Sequence, residues 1–147
     1  MKCYIVDIDG TVADASHRLH HIQKRPKDWD AFFAAQSNDK PIDHMRQLLH
    51  ALRASMGVPL IYVSGRPEKY MHVTLDWLDL HQFPMGHRIY MRPDGDRRDD
   101  DIMKLDLLMQ LKADGWDPIM AFDDRTRVVK MWRANGVPCL QVAEGDF

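Results

Sequence analysis

The sequence predicts an α/β fold: a mainly parallel sheet with helices on its faces and a small helical insert after the first strand. Three observations carry this. Short β-rich runs alternate with helical stretches along the chain, the mark of a parallel sheet. Three of those runs end in polar residues able to carry chemistry, Asp7, Ser64 and Asp123, and open α/β sheets bind ligands at the carboxyl ends of their strands. A chain of 147 residues fits one domain with one core, burying roughly two-thirds of its unfolded surface.

The elements follow in order. Residues 3–7 form a short apolar run ending in an acid, the first strand. Residues 12–56 are the helical insert. In its last helix, 42–56, Met45, Leu48, Leu49, Leu52 and Met56 recur at helical spacing, and Gly57 ends it. Residues 58–63 are the second strand. Pro67 opens the next helix, where a missing N–H costs nothing, with Tyr70, Val73, Trp77 and Leu78 as its apolar stripe. Residues 88–91 are a short third strand, and the Asp-rich loop 94–101 leads into a helix reaching 113. Residues 118–122 are a fourth strand, 126–134 a helix with Val128, Val129 and Trp132 inward, and 138–142 the last strand.

Composition removes several classes of function. The chain is 45% hydrophobic and 29% charged, ordinary for a globular protein, and no apolar run approaches the roughly 20 residues that span a bilayer. The N-terminus passes directly into a strand, without the basic and long apolar regions of a signal peptide. Cys3 and Cys139 fall in expected strands and lack metal-site spacing. They read as core thiols in a reducing compartment, which points to the cytoplasm. The formal net charge of -2 lacks the basic excess used to wrap long nucleic acids, so a nucleic-acid substrate is expected to be gripped at an end.

Four motifs carry the chemistry. In Asp7-Ile8-Asp9-Gly10-Thr11, side chains two apart share a face of an extended segment, and Gly10 lets the backbone turn. Two close carboxylates repel unless a cation or proton intervenes, and hard oxygen ligands suit magnesium. Ser64-Gly65-Arg66 follows a strand; a hydroxyl and backbone N–H groups there make an anion cradle, and Arg66 adds a planar fork for phosphate oxygens. Lys104 lies in a helix with Asp100 four residues before it, on the same face. Asp123-Asp124 ends a strand and supplies further metal ligands.

This ordered set, Asp-x-Asp-Gly-Thr, Ser-Gly-Arg, Lys and Asp-Asp, resembles that of the haloacid-dehalogenase-like hydrolases. Gly95-Asp96-x-Arg98-x-Asp100-Asp101-x-x-Lys104, Asp123-Asp124-Arg125-Thr126, Met131-Trp132-Arg133 and the ending from Gln141 to Phe147 are similar to the 3′-phosphatase domain of phage polynucleotide kinase/phosphatase. The resemblance is weakest in residues 20–55. It implies a Rossmann-like three-layer sandwich and a magnesium-dependent phosphomonoesterase. Asp7 would be the nucleophile, forming an aspartyl-phosphate, and Asp9 the general acid and base. Ser64, Arg66 and Lys104 would hold the phosphoryl oxygens. Arg18, nine residues after Asp9, would contact the substrate phosphate or its leaving group, with Thr11, Gly65 and Asp100 lining or orienting the site. Asp7, the Asp9 carbonyl, Asp123 and Asp124 would hold Mg2+.

The implied substrate is a 3′-phosphorylated DNA or RNA end or a nucleoside 3′-phosphate. A small-metabolite phosphatase with the same chemistry is the near alternative. A non-catalytic phospho-acceptor is the distant one, although receiver domains place the acidic pair first and the lysine last. No Gly-x-x-x-x-Gly-Lys-Ser/Thr occurs, so 5′-kinase activity is not expected from this chain alone, and a separate kinase or ligase is the expected partner. His17 and His21 have i, i+4 spacing but no evident third zinc ligand. Trp29, Phe32 and Phe33 read first as packing one helix onto the body and second as stacking on a base. Arg92, Arg97, Arg98 and Arg125 are expected to guide a nucleic-acid backbone or to lie solvated on the surface.

Overall fold

A computed structural model describes residues 1–147. The elements run β1 (Lys2–Val6), β2 (Ala13–Asp14), α1 (His20–Gln23), α2 (Trp29–Ala34), β3 (Lys40–Pro41), α3 (Asp43–Met56), β4 (Leu60–Pro67), α4 (Met71–Leu80), β5 (Arg88–Arg92), α5 (Asp100–Ala113), β6 (Asp117–Asp123), α6 (Thr126–Ala134) and β7 (Cys139–Gln141). The sheet order is β5-β4-β1-β6-β7, and every pairing is parallel. No helix is long and apolar enough to cross a membrane.

The central strands are apolar on both faces, as a buried parallel sheet requires. Cys3 and Ile5 of β1, with Ile61 and Val63 of β4, pack under α5 and α6 through Leu107, Leu108, Leu111, Val128 and Trp132. The alternate residues Tyr4, Val6, Leu60 and Tyr62 face Met45 and Leu49 of α3 and Trp77 and Leu78 of α4. This is the expected three-layer sandwich. Each fully buried aliphatic side chain here, such as Ile5, stabilises the fold by about 1.5–3 kcal/mol.

Two local readings change. α3 packs on the sheet core through Met45 and Leu49, so it acts as the crossover helix from β1 to β4; the segment before it is α1, α2 and an antiparallel β2–β3 ribbon. Those two-residue strands are too short to show an alternating pattern. Pro67 is not itself helical: it is the last residue of β4, pairs with Arg92, has ψ 145 and caps the 3-10 turn Glu68–Tyr70 that leads into α4. Ser64-Gly65-Arg66 therefore stays in the strand, with an irregular register between Ser64 and Pro67. Cys3 and Cys139 are both buried and free, as expected.

Candidate active site

Strand register assembles the acids. Val6 is level with Phe122 and with Tyr62, so the next residues out of β1 and β6, Asp7 and Asp123, emerge side by side from neighbouring strands. Asp124 follows where the chain leaves the sheet. Ligand oxygens of Asp7, Asp123 and Asp124 lie within 4.8 Å of one another, and all three residues are buried. Gly10 makes this approach possible: it has φ +82, and a Cβ there would overlap the Asp124 carboxylate. Gly145 does the same from the C-terminal segment, where a Cβ would overlap the Asp124 carbonyl and where the Gly145 carbonyl accepts the Thr126 N–H at 2.9 Å.

Lys104 reaches this cluster from α5. Its Nζ donates to Asp7 Oδ1 at 2.7 Å and to Asp123 Oδ2 at 3.0 Å, and Asp100 Oδ2 lies 3.7 Å away. The Thr11 hydroxyl donates to the other Asp7 oxygen at 2.9 Å. Trp132, which sequence pattern assigns only to the core, also donates its indole N–H to Asp123 at 3.2 Å. The N–H groups of Ile8 and Asp9 donate to no acceptor in the protein, and the Asp9 carbonyl accepts nothing. Buried backbone groups are seldom left so. They lie one and two residues after Asp7, donors suited to anionic oxygens and an acceptor suited to a cation.

Asp9 is held differently. Arg18 donates Nη2 to Asp9 Oδ1 at 2.6 Å, and Arg66 places Nη2 on the same oxygen at 2.6 Å and Nε on both. Both arginines are fully buried. Behind them is Asp39, a residue sequence reasoning missed. It accepts Arg18 Nε at 2.8 Å and Nη2 at 2.7 Å, Arg66 Nη2 at 3.1 Å and His17 Nε2 at 2.6 Å. Gln36 and Thr74 take the remaining Arg66 nitrogen at 2.7 and 3.1 Å. The Arg66 fork is thus fully occupied by the protein.

These surroundings set the charges. Burial drives the Asp7 carboxyl well above its ordinary value, Asp123 and Asp124 push it further, and Lys104 opposes them. Asp124 is lifted to about 6 by burial and then by Asp123. Burial alone would neutralise Lys104, but Asp123, Asp7 and Asp100 outweigh it and hold the ammonium charged. Asp9 also suffers desolvation, yet Arg66 and Arg18 outweigh that and lower it to about 2. Two carboxyls two residues apart are therefore driven in opposite directions.

Other expected residues lie as follows. Ser64 is buried at the end of β4, and its Oγ accepts the Arg66 N–H at 3.1 Å. Gly65 packs against Asp100 so closely that a Cβ would overlap that carboxylate. Asp100 braces Arg92 at 3.2 Å as well as facing Lys104. Arg92, Arg98 and Arg125 are spent internally: Arg92 on the Gly65 and Arg98 carbonyls, Arg98 on Asp96 and Asp106, and Arg125 on the Phe147 carbonyl. Neither His17 nor His21 joins a group of metal-ligating side chains.

The family model of the polynucleotide kinase PNKP phosphatase domain matches residues 1–147. The chain belongs to this family. A protein described as a bifunctional polynucleotide kinase/RNA ligase, from Autographa californica nuclear polyhedrosis virus, is 25% identical over 137 residues, 93% of this chain and 18% of that protein. A chain in the structure of the Pnkp1/Rnl/Hen1 complex superposes with a TM-score of 0.81 at 28% identity, over 99% of this chain and 46% of that one. This chain thus spans less than half the length of either. A class C acid phosphatase from Bacillus anthracis with tungstate bound shares the fold, with a TM-score of 0.66 at 16% identity, over 97% of this chain and 68% of that one. The protein is a haloacid-dehalogenase-type phosphatase domain of the PNKP kind.

Proposed function

We propose that this domain removes the 3′-phosphate from nucleic-acid ends through an aspartyl-phosphate on Asp7, with Mg2+ as cofactor. The observation that carries the chemistry is the Asp7 carboxylate, fixed by Thr11 and Lys104 inside a buried three-acid cluster. The donor set fits a hard dication: three carboxylates and the unpaired Asp9 carbonyl are all oxygen ligands. A magnesium ion held there would neutralise charge on Asp7 and on the phosphoryl oxygens.

In the first half-reaction, Asp7 attacks phosphorus and the bond to the leaving oxygen breaks. Lys104, Ser64 and the Ile8 and Asp9 N–H groups stabilise the equatorial oxygens. Asp9 passes a proton to the departing alkoxide, then takes one from the water that hydrolyses the acyl phosphate. In the substrate-free protein Asp9 is ionised by its two arginines. A phosphate dianion seated beside Asp9 repels its carboxylate, and that repulsion restores the carboxyl's affinity for a proton. Arg18 and Arg66 thereby set the resting charge of Asp9, and the charge of the substrate sets the moment at which it takes up a proton.

Family membership and the relatives named for polynucleotide kinase, RNA ligase and an RNA repair complex favour a polynucleotide 3′-end over a small metabolite. They also favour work beside a separate kinase or ligase in nucleic acid repair. The test is phosphate release from a 3′-phosphorylated oligonucleotide against a panel of sugar phosphates and 5′-nucleotides, across a magnesium titration. Preference for the oligonucleotide, with activity lost on chelation, is expected. Hydrolysis of the metabolites alone overturns the substrate assignment, and magnesium-independent turnover overturns the cofactor.

A further inference from the structure

Helix α2 is pinned to the site by its inner face. The Arg18 guanidinium lies 4.3 Å from the centroid of the buried Phe32 ring and donates to the Phe32 carbonyl at 3.2 Å. Gln36, just beyond the helix, holds Arg66 at 2.7 Å through Oε1 and the Phe33 carbonyl at 2.7 Å through Nε2. The position of α2 is therefore set by the same two arginines that grip Asp9.

Its outer face carries rings with no such duty. Trp29 is 46% exposed and stacks on Phe33, with ring centroids 5.9 Å apart and planes 24° from parallel. Phe33 meets Tyr70 at 5.7 Å and 33°. Tyr70 lies only four residues after Arg66, just past the carboxyl end of β4. The result is a row of three half-open rings that begins just past the carboxyl end of β4. Each end carries a cation: the Lys69 Nζ lies 5.3 Å from the Tyr70 centroid and the Lys27 Nζ 5.7 Å from that of Trp29. Both lysines are exposed. Single exposed aromatics need no explanation. Three in a row, two of them on a helix locked to the site arginines and the row ended by lysines, match how single strands are held, with bases on aromatic faces and phosphates on flanking cations.

We propose that Trp29, Phe33 and Tyr70 stack the terminal nucleobases of a single-stranded 3′ end, with Lys27 and Lys69 facing its backbone phosphates. This rests on the reading of the site as a 3′-end phosphatase and adds what selects a polymer end over a bare phosphate ester. Every base offers a π-face, so this row recognises single-strandedness with little sequence preference. It also accounts for end-binding by a chain of net charge -2, since stacking replaces part of the electrostatic grip.

The test compares three substrates on the whole chain: a single-stranded 3′-phosphorylated oligonucleotide, the same oligonucleotide with abasic residues at its last three positions, and p-nitrophenyl phosphate. For the native chain, kcat/KM on the base-bearing oligonucleotide is expected to exceed that on the abasic one by about ten-fold or more. In Trp29→Ala and Phe33→Ala this ratio collapses toward one through KM, and Trp29→Phe, which keeps a ring, restores most of it. Because the ratio is taken within each variant, loss of folded protein cancels. Equal efficiency on both oligonucleotides by the native chain, or an undiminished ratio in both alanine variants, overturns the stacking row while leaving the phosphatase reading intact. Turnover of p-nitrophenyl phosphate with neither oligonucleotide cleaved overturns the 3′-end reading and the row with it.

Discussion

Replacing Asp124 with asparagine is expected to stabilise the metal-free protein. Asp124 is only 5% exposed, and burial with the neighbouring Asp123 lifts its carboxyl from 3.8 to about 6. The folded value lies above the unfolded one, so below about pH 4 the group is protonated in both states and costs nothing. Between about pH 4 and 6 the unfolded chain ionises while the folded one keeps its proton, so the penalty builds there and is complete above 6. Each tenfold difference in proton affinity is worth about 1.4 kcal/mol, so the penalty at neutral pH is about 3 kcal/mol. Asparagine keeps the shape without the charge. Urea denaturation in EDTA at pH 7.5 should therefore show Asp124→Asn more stable than the native chain by up to about 3 kcal/mol, with the gap narrowing toward pH 4. Adding magnesium should reverse the order, because the native cluster gains a cation that the variant binds poorly. A variant less stable than the native chain in EDTA at pH 7.5, or one stabilised by magnesium as strongly as the native chain, refutes the reasoning.

Other perturbations separate the parts of the site. Asp9→Asn should slow turnover by about 10²–10⁴-fold on a nucleoside 3′-phosphate and by much less on p-nitrophenyl phosphate, whose leaving group needs no proton; equal losses would remove the acid role. Asp39→Ala leaves the buried guanidiniums of Arg18 and Arg66 short of a partner and should lower unfolding free energy by about 3–5 kcal/mol, read by urea denaturation. Gly10→Ala forces a Cβ into the Asp124 carboxylate and should reduce kcat by about 10²-fold, the usual cost of an ångström of misplacement. A steady-state assay at saturating magnesium checks it.

The parts of this site that lie at strand ends are legible in the sequence. An apolar run of four or five residues broken by Asp or Ser marks both the strand and its rim, so Asp7, Ser64 and Asp123 can be placed in advance. Lys104 is readable by its helical offset from Asp100. The shell around Asp9 is not legible. Asp39 sits in the polar stretch Ser37-Asn38-Asp39-Lys40, which reads as an ordinary loop, and its partners are 21 and 27 residues away. Nothing local shows that Gln36 and Thr74, 38 residues apart, meet on one guanidinium. Trp132 reads as core because its apolar spacing hides the one N–H that reaches Asp123. Arg92 looks like a free surface cation because its main partners include the Gly65 and Arg98 carbonyls, which no residue pattern records. The sequence offers Trp29, Phe32 and Phe33 as one stripe; only the position of Arg18 decides that Phe32 faces in while Trp29 and Phe33 face out.

The central claim is that phosphate passes through Asp7. A single-turnover reaction with an oligonucleotide carrying 32P in its 3′-phosphate, quenched in acid within milliseconds and digested, tests it directly. Label is expected on the peptide containing Asp7, labile to hydroxylamine as an acyl phosphate is, and absent from the Asp7→Asn variant. Label that never leaves the oligonucleotide except as free phosphate, or that attaches to a peptide lacking Asp7, contradicts the account.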